Sequence, residues 1–288
     1  MKGIVLAGGS GTRLHPLTHA VSKQILPVYN KPMIYYPLSV LMLGGIREIL
    51  VISTPDHLEL FRVLLGDGSR LGINIDYAEQ PTANGIAEAF FIGEKHIGDD
   101  AVALVLGDNI FHGPDMSSIL RGNMRNIDGC TLFGAAVKDP ERYGVGEVDA
   151  AGNLLSIEEK PKRPRSNLAI TGLYLYSNDV VEIARDVQPS QRGEREITDV
   201  NKVYLEMGRA RFVDLGSGVT WIDTGTHDSL FEAGEYVRVL ERSQGVRIAC
   251  LEEIAFRSGF IDAETCFGLG LDMGGSNYGQ YLMEISSE

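Results

Sequence analysis

A short apolar run, Gly3-Ile4-Val5-Leu6, empties directly into Ala7-Gly8-Gly9-Ser10-Gly11-Thr12-Arg13-Leu14. A strand feeding a glycine-rich turn restricts the architecture more than any other feature of the chain. Such turns sit at the carboxyl edge of a helix-flanked sheet, where glycine lets the backbone bend and lets successive N–H groups converge on an anion. A glycine cluster alone would serve turn geometry, but the surrounding charge points further. The first 47 residues hold Lys2, Arg13, Lys23, Lys31 and Arg47 and no Asp or Glu, although the chain is formally −13. With 39 carboxylates in 288 residues, random ordering empties such a stretch about once in a thousand times. Phosphate oxygens are the expected ligand, with Arg13 and Lys23 supplying the full charges.

The chain is long enough, and with 44% hydrophobic residues apolar enough, to bury one large core or two modest ones. Its acidic balance argues against nucleic acid as a partner, since phosphate-backbone affinity needs an extended cationic face. The anion should be small. Cys130, Cys250 and Cys266 are odd in number and contain no C-x-x-C, which disfavours a disulfide framework or a thiolate zinc site and fits a reducing cytoplasm. The apolar run at the start breaks at Gly8-Gly9 too early for a signal peptide. No run approaches the ~20 residues of a membrane span, so a soluble protein is expected.

Up to about residue 110 the pattern predicts strands over 3–7, 49–53, 73–78 and 101–106 alternating with helices over 33–43, 56–65 and 85–96. Alternation of this kind builds a parallel sheet. Beyond residue 130 the spacing predicts strands over 131–137, 145–148, 154–158 and 168–176, with a hairpin turn at Ala150-Ala151-Gly152-Asn153. Helices follow over 180–187 and 197–207, then a strand over 211–215 and an amphipathic helix over 228–242. The reading is an α/β fold with a mixed, mostly parallel central sheet flanked by helices. It forms one continuous domain over 1–240, followed by an accessory helical segment over 241–288.

Two phosphate-binding alternatives fail. Leu14 stands where a G-x-G-x-x-G fingerprint needs its third glycine, and no Gly-Lys pair exists to end a P-loop. Asp108, in Leu106-Gly107-Asp108-Asn109, ends a buried-type strand at the ligand edge. Capping of the next turn is its plainer role. A second carboxylate in Trp221-Ile222-Asp223-Thr224-Gly225-Thr226 favours a metal site instead, because Mg²⁺ on phosphates is held by one or two carboxylates. Only the fold can bring Asp108 and Asp223 together. Glu158-Glu159-Lys160-Pro161 is either a solvated charged loop or a sugar-phosphate contact, with Glu159 on a hydroxyl and Lys160 on a phosphate. Gln80 and the Asn84-Gly85 turn could read a base edge or simply cap a helix. The six histidines are read as surface or packing residues.

Together these blocks strongly resemble the sugar-activating nucleotidyltransferases, in particular the glucose-1-phosphate thymidylyltransferases. The resemblance is carried by residues 6–14, by Val21-Ser22-Lys23-Gln24-Ile25-Leu26-Pro27 and by Lys31-Pro32-Met33-Ile34-Tyr35-Tyr36-Pro37-Leu38. Asp139-Pro140-Glu141-Arg142-Tyr143-Gly144, Glu196-Ile197-Thr198-Asp199-Val200-Asn201 and Trp221-Ile222-Asp223-Thr224-Gly225-Thr226-His227 extend it almost end to end. Pro81-Thr82-Ala83-Asn84-Gly85-Ile86-Ala87-Glu88 departs from the family's Pro-Asp-Gly-Leu-Ala-Gln, and Thr171 replaces an apolar residue before Gly172.

The resemblance implies a Rossmann-like nucleotidyltransferase fold whose residues 1–110 bind nucleotide and whose residues 111–240 bind sugar phosphate. The implied reaction joins dTTP and glucose 1-phosphate into dTDP-glucose and pyrophosphate, for deoxysugar synthesis such as that of dTDP-rhamnose. It implies that Gly8, Gly9, Gly11, Thr12 and Gln24 bind nucleotide, with Arg13 on the β- and γ-phosphates and Lys23 on the α-phosphate. Gln80 and Gly85 would read thymine, and Asp108 and Asp223 would hold Mg²⁺. Lys160 would place the attacking phosphate, with Glu159, Gly144, Asn109 and Thr171 around the sugar. A homotetramer and feedback inhibition by a dTDP-sugar are also implied.

Overall fold

The structure, a computed structural model, describes residues 1–9 and 11–287; Ser10 of the glycine-rich turn lies outside them. Strand β1 (Lys2–Leu6) leads through the glycine loop to a small ribbon, β2 (Pro27–Val28) with β3 (Lys31–Pro32). Then come α1 (Tyr35–Leu43), β4 (Glu48–Ser53), α2 (Pro55–Leu65), β5 (Asn74–Glu79), α3 (Glu88–Ile92), α4 (Glu94–Ile97) and β6 (Val102–Leu106). The second half runs β7 (Asn109–His112), α5 (Met116–Asn123), β8 (Cys130–Ala136), β9 (Gly144–Val148), β10 (Leu154–Glu159), β11 (Leu168–Tyr176), α6 (Val180–Asp186) and α7 (Ile197–Glu206). It closes with β12 (Ala210–Asp214), β13 (Thr220–Asp223), α8 (His227–Gln244), α9 (Leu251–Arg257), α10 (Ala263–Asp272) and α11 (Asn277–Ile285).

β1 pairs in parallel with β4 and β6, and β4 with β5. Their residues bury alternately into two layers. Val5, Val51 and Val105 pack with Leu38 and Leu41 of α1, Phe61 of α2 and Leu120 of α5. Ile4, Ile52 and Leu104 pack with Phe90 of α3, Ile97 of α4 and Val200 and Tyr204 of α7. Burial on both faces is why these strands read as continuous apolar runs.

The main sheet runs β10-β9-β11-β6-β1-β4-β5, with β8 and β12 branching from β11. β11 is antiparallel to β6 through residues 173–176 and to β9 through 169–170, and its register against β8 breaks between Ile170 and Tyr174. The sheet is therefore mixed, parallel from β5 to β6, antiparallel where β11 meets β6, β8 and β9 and where β9 meets β10, and parallel again between β8 and β12, in line with the expected fold class.

The helix predicted over 85–96 starts later and splits. Gly85 has φ +111°, and a Cβ there would lie 2.3 Å from Arg195 O. Arg195 also holds the segment through Arg195 N to Asn84 O (2.7 Å) and Ala87 N to Arg195 O (3.3 Å), which delays the helix to Glu88. β7, α5 and β13 were not anticipated. α8 is fixed to the β2–β3 ribbon by Glu241, whose carboxylate accepts from Lys31 Nζ (2.9 Å), Asn30 Nδ2 (2.7 Å), Arg247 Nη1 (2.9 Å) and Ile248 N (3.0 Å). Burial works to raise the Glu241 pKa, but the hydrogen bond and charge of Lys31, with Arg247 and Ile248 N, hold it below the usual carboxylate value. Cys130, Cys250 and Cys266 are free and buried. Among the described residues no helix is long and apolar enough to cross a membrane.

Candidate active site

The carboxyl ends of β1 and β6 open into a cleft of about 560 Å³. Gly8, Gly9, Arg13, Lys23, Gln24, Gln80, Gly85, Asp108, Asn109, Gly144, Glu159, Lys160 and Asp223 line it, so most of the sequence-predicted residues meet there. Gly11 and Thr12 do not line it. Gly11, at φ +60°, caps the 3-10 turn Thr12–Leu14 and its carbonyl accepts from Thr18 Oγ1 (2.8 Å). Gln24 is buried behind the loop, with Nε2 3.4 Å from Gly8 O. His15 and His19, exposed and four residues apart, stack at 4.2 Å beyond Arg13.

The distant aspartates are joined by a ribbon. β7 and β13 pair antiparallel with Asn109 opposite Asp223, and Thr224 donates to Asp108 O through both its N (3.0 Å) and Oγ1 (2.7 Å). Asp108 Oδ2 accepts from Lys23 Nζ, and Oδ1 from Asn109 Nδ2 (3.0 Å). A Cβ placed on Gly225 would lie 3.0 Å from Asp223 Oδ1 and 3.1 Å from Arg13 Nη2, so Arg13 closes the same corner. Burial works to raise the Asp108 pKa, but the charge and hydrogen bond of Lys23 hold it below the ordinary value. Asp223 is pushed up, first by burial and then by the Asp108 charge, against the pull of Lys23, Arg13 and Arg142. Two hard oxygen donors that repel each other beside Arg13 and Lys23 in one cleft suit a divalent cation completed by phosphate oxygens and water. Among the described residues no third carboxylate, imidazole or thiol joins them.

At the far end Glu159 Oε2 accepts from Thr198 Oγ1 (2.5 Å), while Oε1 lies 3.4 Å from Lys160 Nζ and 3.5 Å from Arg192 Nη2. Lys160 has φ +45°, a left-handed conformation uncommon for a side-chain-bearing residue. Its N–H donates to Tyr143 O (2.9 Å), which seats the strained peptide against β9. Asn109 Oδ1 accepts from Trp221 Nε1 (2.6 Å) and Gly172 N (3.1 Å), and the Trp221 ring meets Tyr143 edge-on.

Thr171, placed in the sugar subsite from sequence, does not reach the cleft. Its side chain is on the opposite face of β11 from Ile170, Gly172 and Tyr174, which do line it, and its hydroxyl donates to Phe133 O (2.9 Å). Strand alternation decides this. Arg142, Tyr143, Arg192, Glu196, Thr198 and Trp221 line the cleft without having been singled out. Their signal was present, since Thr198 and Trp221 stand inside blocks that carry the family resemblance.

A sequence profile of the nucleotidyl transferase family matches residues 2–238. The chain is 54% identical over 285 residues to the glucose-1-phosphate thymidylyltransferase of Neisseria meningitidis, covering 99% of each chain. It is 53% identical to that of Mycobacterium tuberculosis, again over 99% of both. Among solved structures it resembles, with a TM-score of 0.76 and 38% identity, a Bacillus anthracis protein named as a glucose-1-phosphate thymidylyltransferase, in complex with sucrose. That match covers 83% of this chain and 95% of the other.

Proposed function

This chain belongs to the nucleotidyl transferase family, among its glucose-1-phosphate thymidylyltransferases, and on that premise we propose that it transfers the thymidylyl group of dTTP to α-D-glucose 1-phosphate, giving dTDP-glucose and pyrophosphate. The observation that carries this reading is one cleft with Arg13, Lys23, Asp108 and Asp223 at one end and Glu159 and Lys160 at the other. A sugar-phosphate oxygen attacks the α-phosphorus, the bond from that phosphorus to the bridging oxygen of the β-phosphate breaks, and pyrophosphate departs. The nucleophile arrives already deprotonated, so the protein supplies position and charge rather than a general base.

In this reading Gly8 and Gly9 meet the triphosphate, Gly11 and Thr12 continue the loop outside the cleft and set the turn that carries Arg13, and Gln24 supports the loop from behind. Arg13 neutralises the oxygens that leave, and Lys23 turns from Asp108 to the α-phosphate. Asp108 and Asp223 would hold a divalent cation, Mg²⁺ in this proposal, which supplies charge neutralisation on the phosphates when bound. Lys160 places the attacking phosphate. Glu159, oriented by Thr198, binds the sugar beside Gly144 and Asn109, and Gln80 and Gly85 read thymine.

The finer parts of the proposal rest on family resemblance. They are a homotetramer, feedback by a dTDP-sugar such as dTDP-rhamnose at a second site, and a nucleotide part before about residue 110 with a sugar-phosphate part after it; a cytoplasmic setting is proposed from the three free cysteines. Purified chain mixed with dTTP, glucose 1-phosphate and Mg²⁺ should release pyrophosphate and form dTDP-glucose. Absence of both products would remove the reading, and a matrix of nucleoside triphosphates against hexose 1-phosphates would separate thymidylyl from uridylyl or cytidylyl transfer.

A further inference from the structure

We propose that Arg142 is a further catalytic residue, whose guanidinium leaves Asp139 once both substrates are bound and bridges the attacking sugar phosphate and the α-phosphate of the nucleotide. It rests on the proposed reaction and adds a residue to it.

That reaction has to press two anions together. Arg13 and Lys23 serve the nucleotide side of the cleft and Lys160 the sugar-phosphate side, so the place where the two phosphates meet still needs a cation. Arg142 stands between them. It ends the 3-10 turn Pro140–Arg142, just ahead of β9, and lines the cleft. On one side the carbonyl of the next residue, Tyr143, accepts from Lys160 N (2.9 Å), which ties this turn to the residue that places the sugar phosphate. On the other side the guanidinium lies over the Tyr143 ring, 5.3 Å from its centre, and that ring meets Trp221 edge-on at 5.1 Å. Trp221 is two residues before Asp223 on β13, and both line the cleft. The Asp223 pKa, raised by burial and by Asp108, is drawn down by Lys23, Arg13 and Arg142. The charge of Arg142 therefore reaches the corner in which the α-phosphate is proposed to lie.

Its present partner holds it loosely. Arg142 Nη1 donates to Asp139 Oδ2 (2.6 Å), and the two side chains keep 36% and 42% exposure. Exposed pairs of this kind contribute little, and Asp139 does not line the cleft, so the guanidinium can turn inward at small cost. Its donors form a planar fork that grips two oxygens at once, whereas an ammonium acts as a point charge. Arg142 stays protonated throughout. The new bond joins a sugar-phosphate oxygen to the α-phosphorus, the bond from that phosphorus to the bridging oxygen breaks, and no proton passes through the guanidinium.

The experiment compares Arg142→Gln, Arg142→Lys and Asp139→Asn with the wild type in three quantities: Kd for dTTP alone by calorimetry, kcat/KM for glucose 1-phosphate at saturating dTTP, and Tm. Arg142→Gln should lower kcat/KM about tenfold or more while the dTTP Kd and the Tm hold, since the bridge forms only when the second phosphate arrives. Arg142→Lys keeps the charge without the fork and should recover part of the loss. Asp139→Asn releases the guanidinium and should leave kcat/KM at or above the wild-type value, whereas a pair that only braces the fold would make it fail as Arg142→Gln does. An unmoved kcat/KM in Arg142→Gln, a dTTP affinity that falls as far as kcat/KM, or parallel losses of Tm in Arg142→Gln and Asp139→Asn would overturn the proposal. Wild-type formation of dTDP-glucose is scored first: its absence counts against the proposed function, and its presence with an unmoved kcat/KM in Arg142→Gln counts against Arg142 alone.

Discussion

Lys23 has two duties that can be pulled apart. Its ammonium is the cation on Asp108, and in the proposed reaction it grips the α-phosphate. Lys23→Met keeps the stem and removes the charge, leaving Asp108 with Asn109 Nδ2 (3.0 Å) as its side-chain donor and Asp223 nearby to repel it. Breaking a fully buried pair costs about 3–5 kcal/mol. Here the side chains keep 14% and 12% exposure and one donor survives, which brings the expectation down to about 2–3 kcal/mol. Adding Asp108→Asn removes the stranded charge and should restore all but about 1 kcal/mol. Turnover should not follow stability. Loss of a preorganised charge contact costs about 2.7–4 kcal/mol of barrier, roughly a hundredfold to a thousandfold, and the double variant recovers none of it. Urea midpoints at pH 7 in excess chelator, where no cation can substitute for the ammonium, are compared with initial rates of pyrophosphate release. A single variant as stable as wild type would refute the electrostatic account of Asp108, and a double variant that regains turnover would refute the role of Lys23 on phosphate.

Three further outcomes are expected. Lys160→Ala and Lys160→Gly should both raise the KM for glucose 1-phosphate, about tenfold or more by loss of a charged contact, with the glycine variant more stable by about 1 kcal/mol because φ at this position is +45°; equal stabilities would contradict backbone strain there. Asp223→Asn should abolish most Mg²⁺-dependent turnover yet unfold no more easily without metal, since burial and Asp108 already disfavour its charge; full activity in excess chelator would remove the cation from the scheme. Glu241 has a folded pKa held below its unfolded 4.5, so its contribution is present above that value and lost as pH falls through the folded one. Glu241→Gln should cost about 3 kcal/mol at pH 7 by stranding Lys31 and flatten the acid limb of the urea midpoint, whereas parallel curves would exclude this pair as its source.

The parallel half of the sheet was legible because double burial writes itself as unbroken apolar runs such as 102–106. β7 and β13 were not, since each is four residues long and its strand partner is the other, far along the chain. The same non-local pairing brings Asp108 to Asp223, so both could be named from sequence while their meeting could not be derived. Thr171 was displaced by a single step of strand parity, which a motif does not reveal. Thr198 sits at the start of α7, where helix-start chemistry masks a hydroxyl directed at Glu159. Gln80 was recognised, but the partners of its amide, Gly85 O and Glu88 Oε2, were not, because they meet it only through the turn that Arg195 holds at Asn84 and Ala87.

The β7–β13 ribbon also governs when the molecule becomes competent during its own synthesis. The loop bearing Arg13 leaves the ribosome long before Asp223 does, and the parallel strands can dock while the ribbon still lacks its second member. A nascent chain at that stage could meet nucleotide but lacks Asp223, one of the two aspartates proposed to hold the cation, so in the proposed scheme activation of the triphosphate waits until most of the polypeptide has emerged.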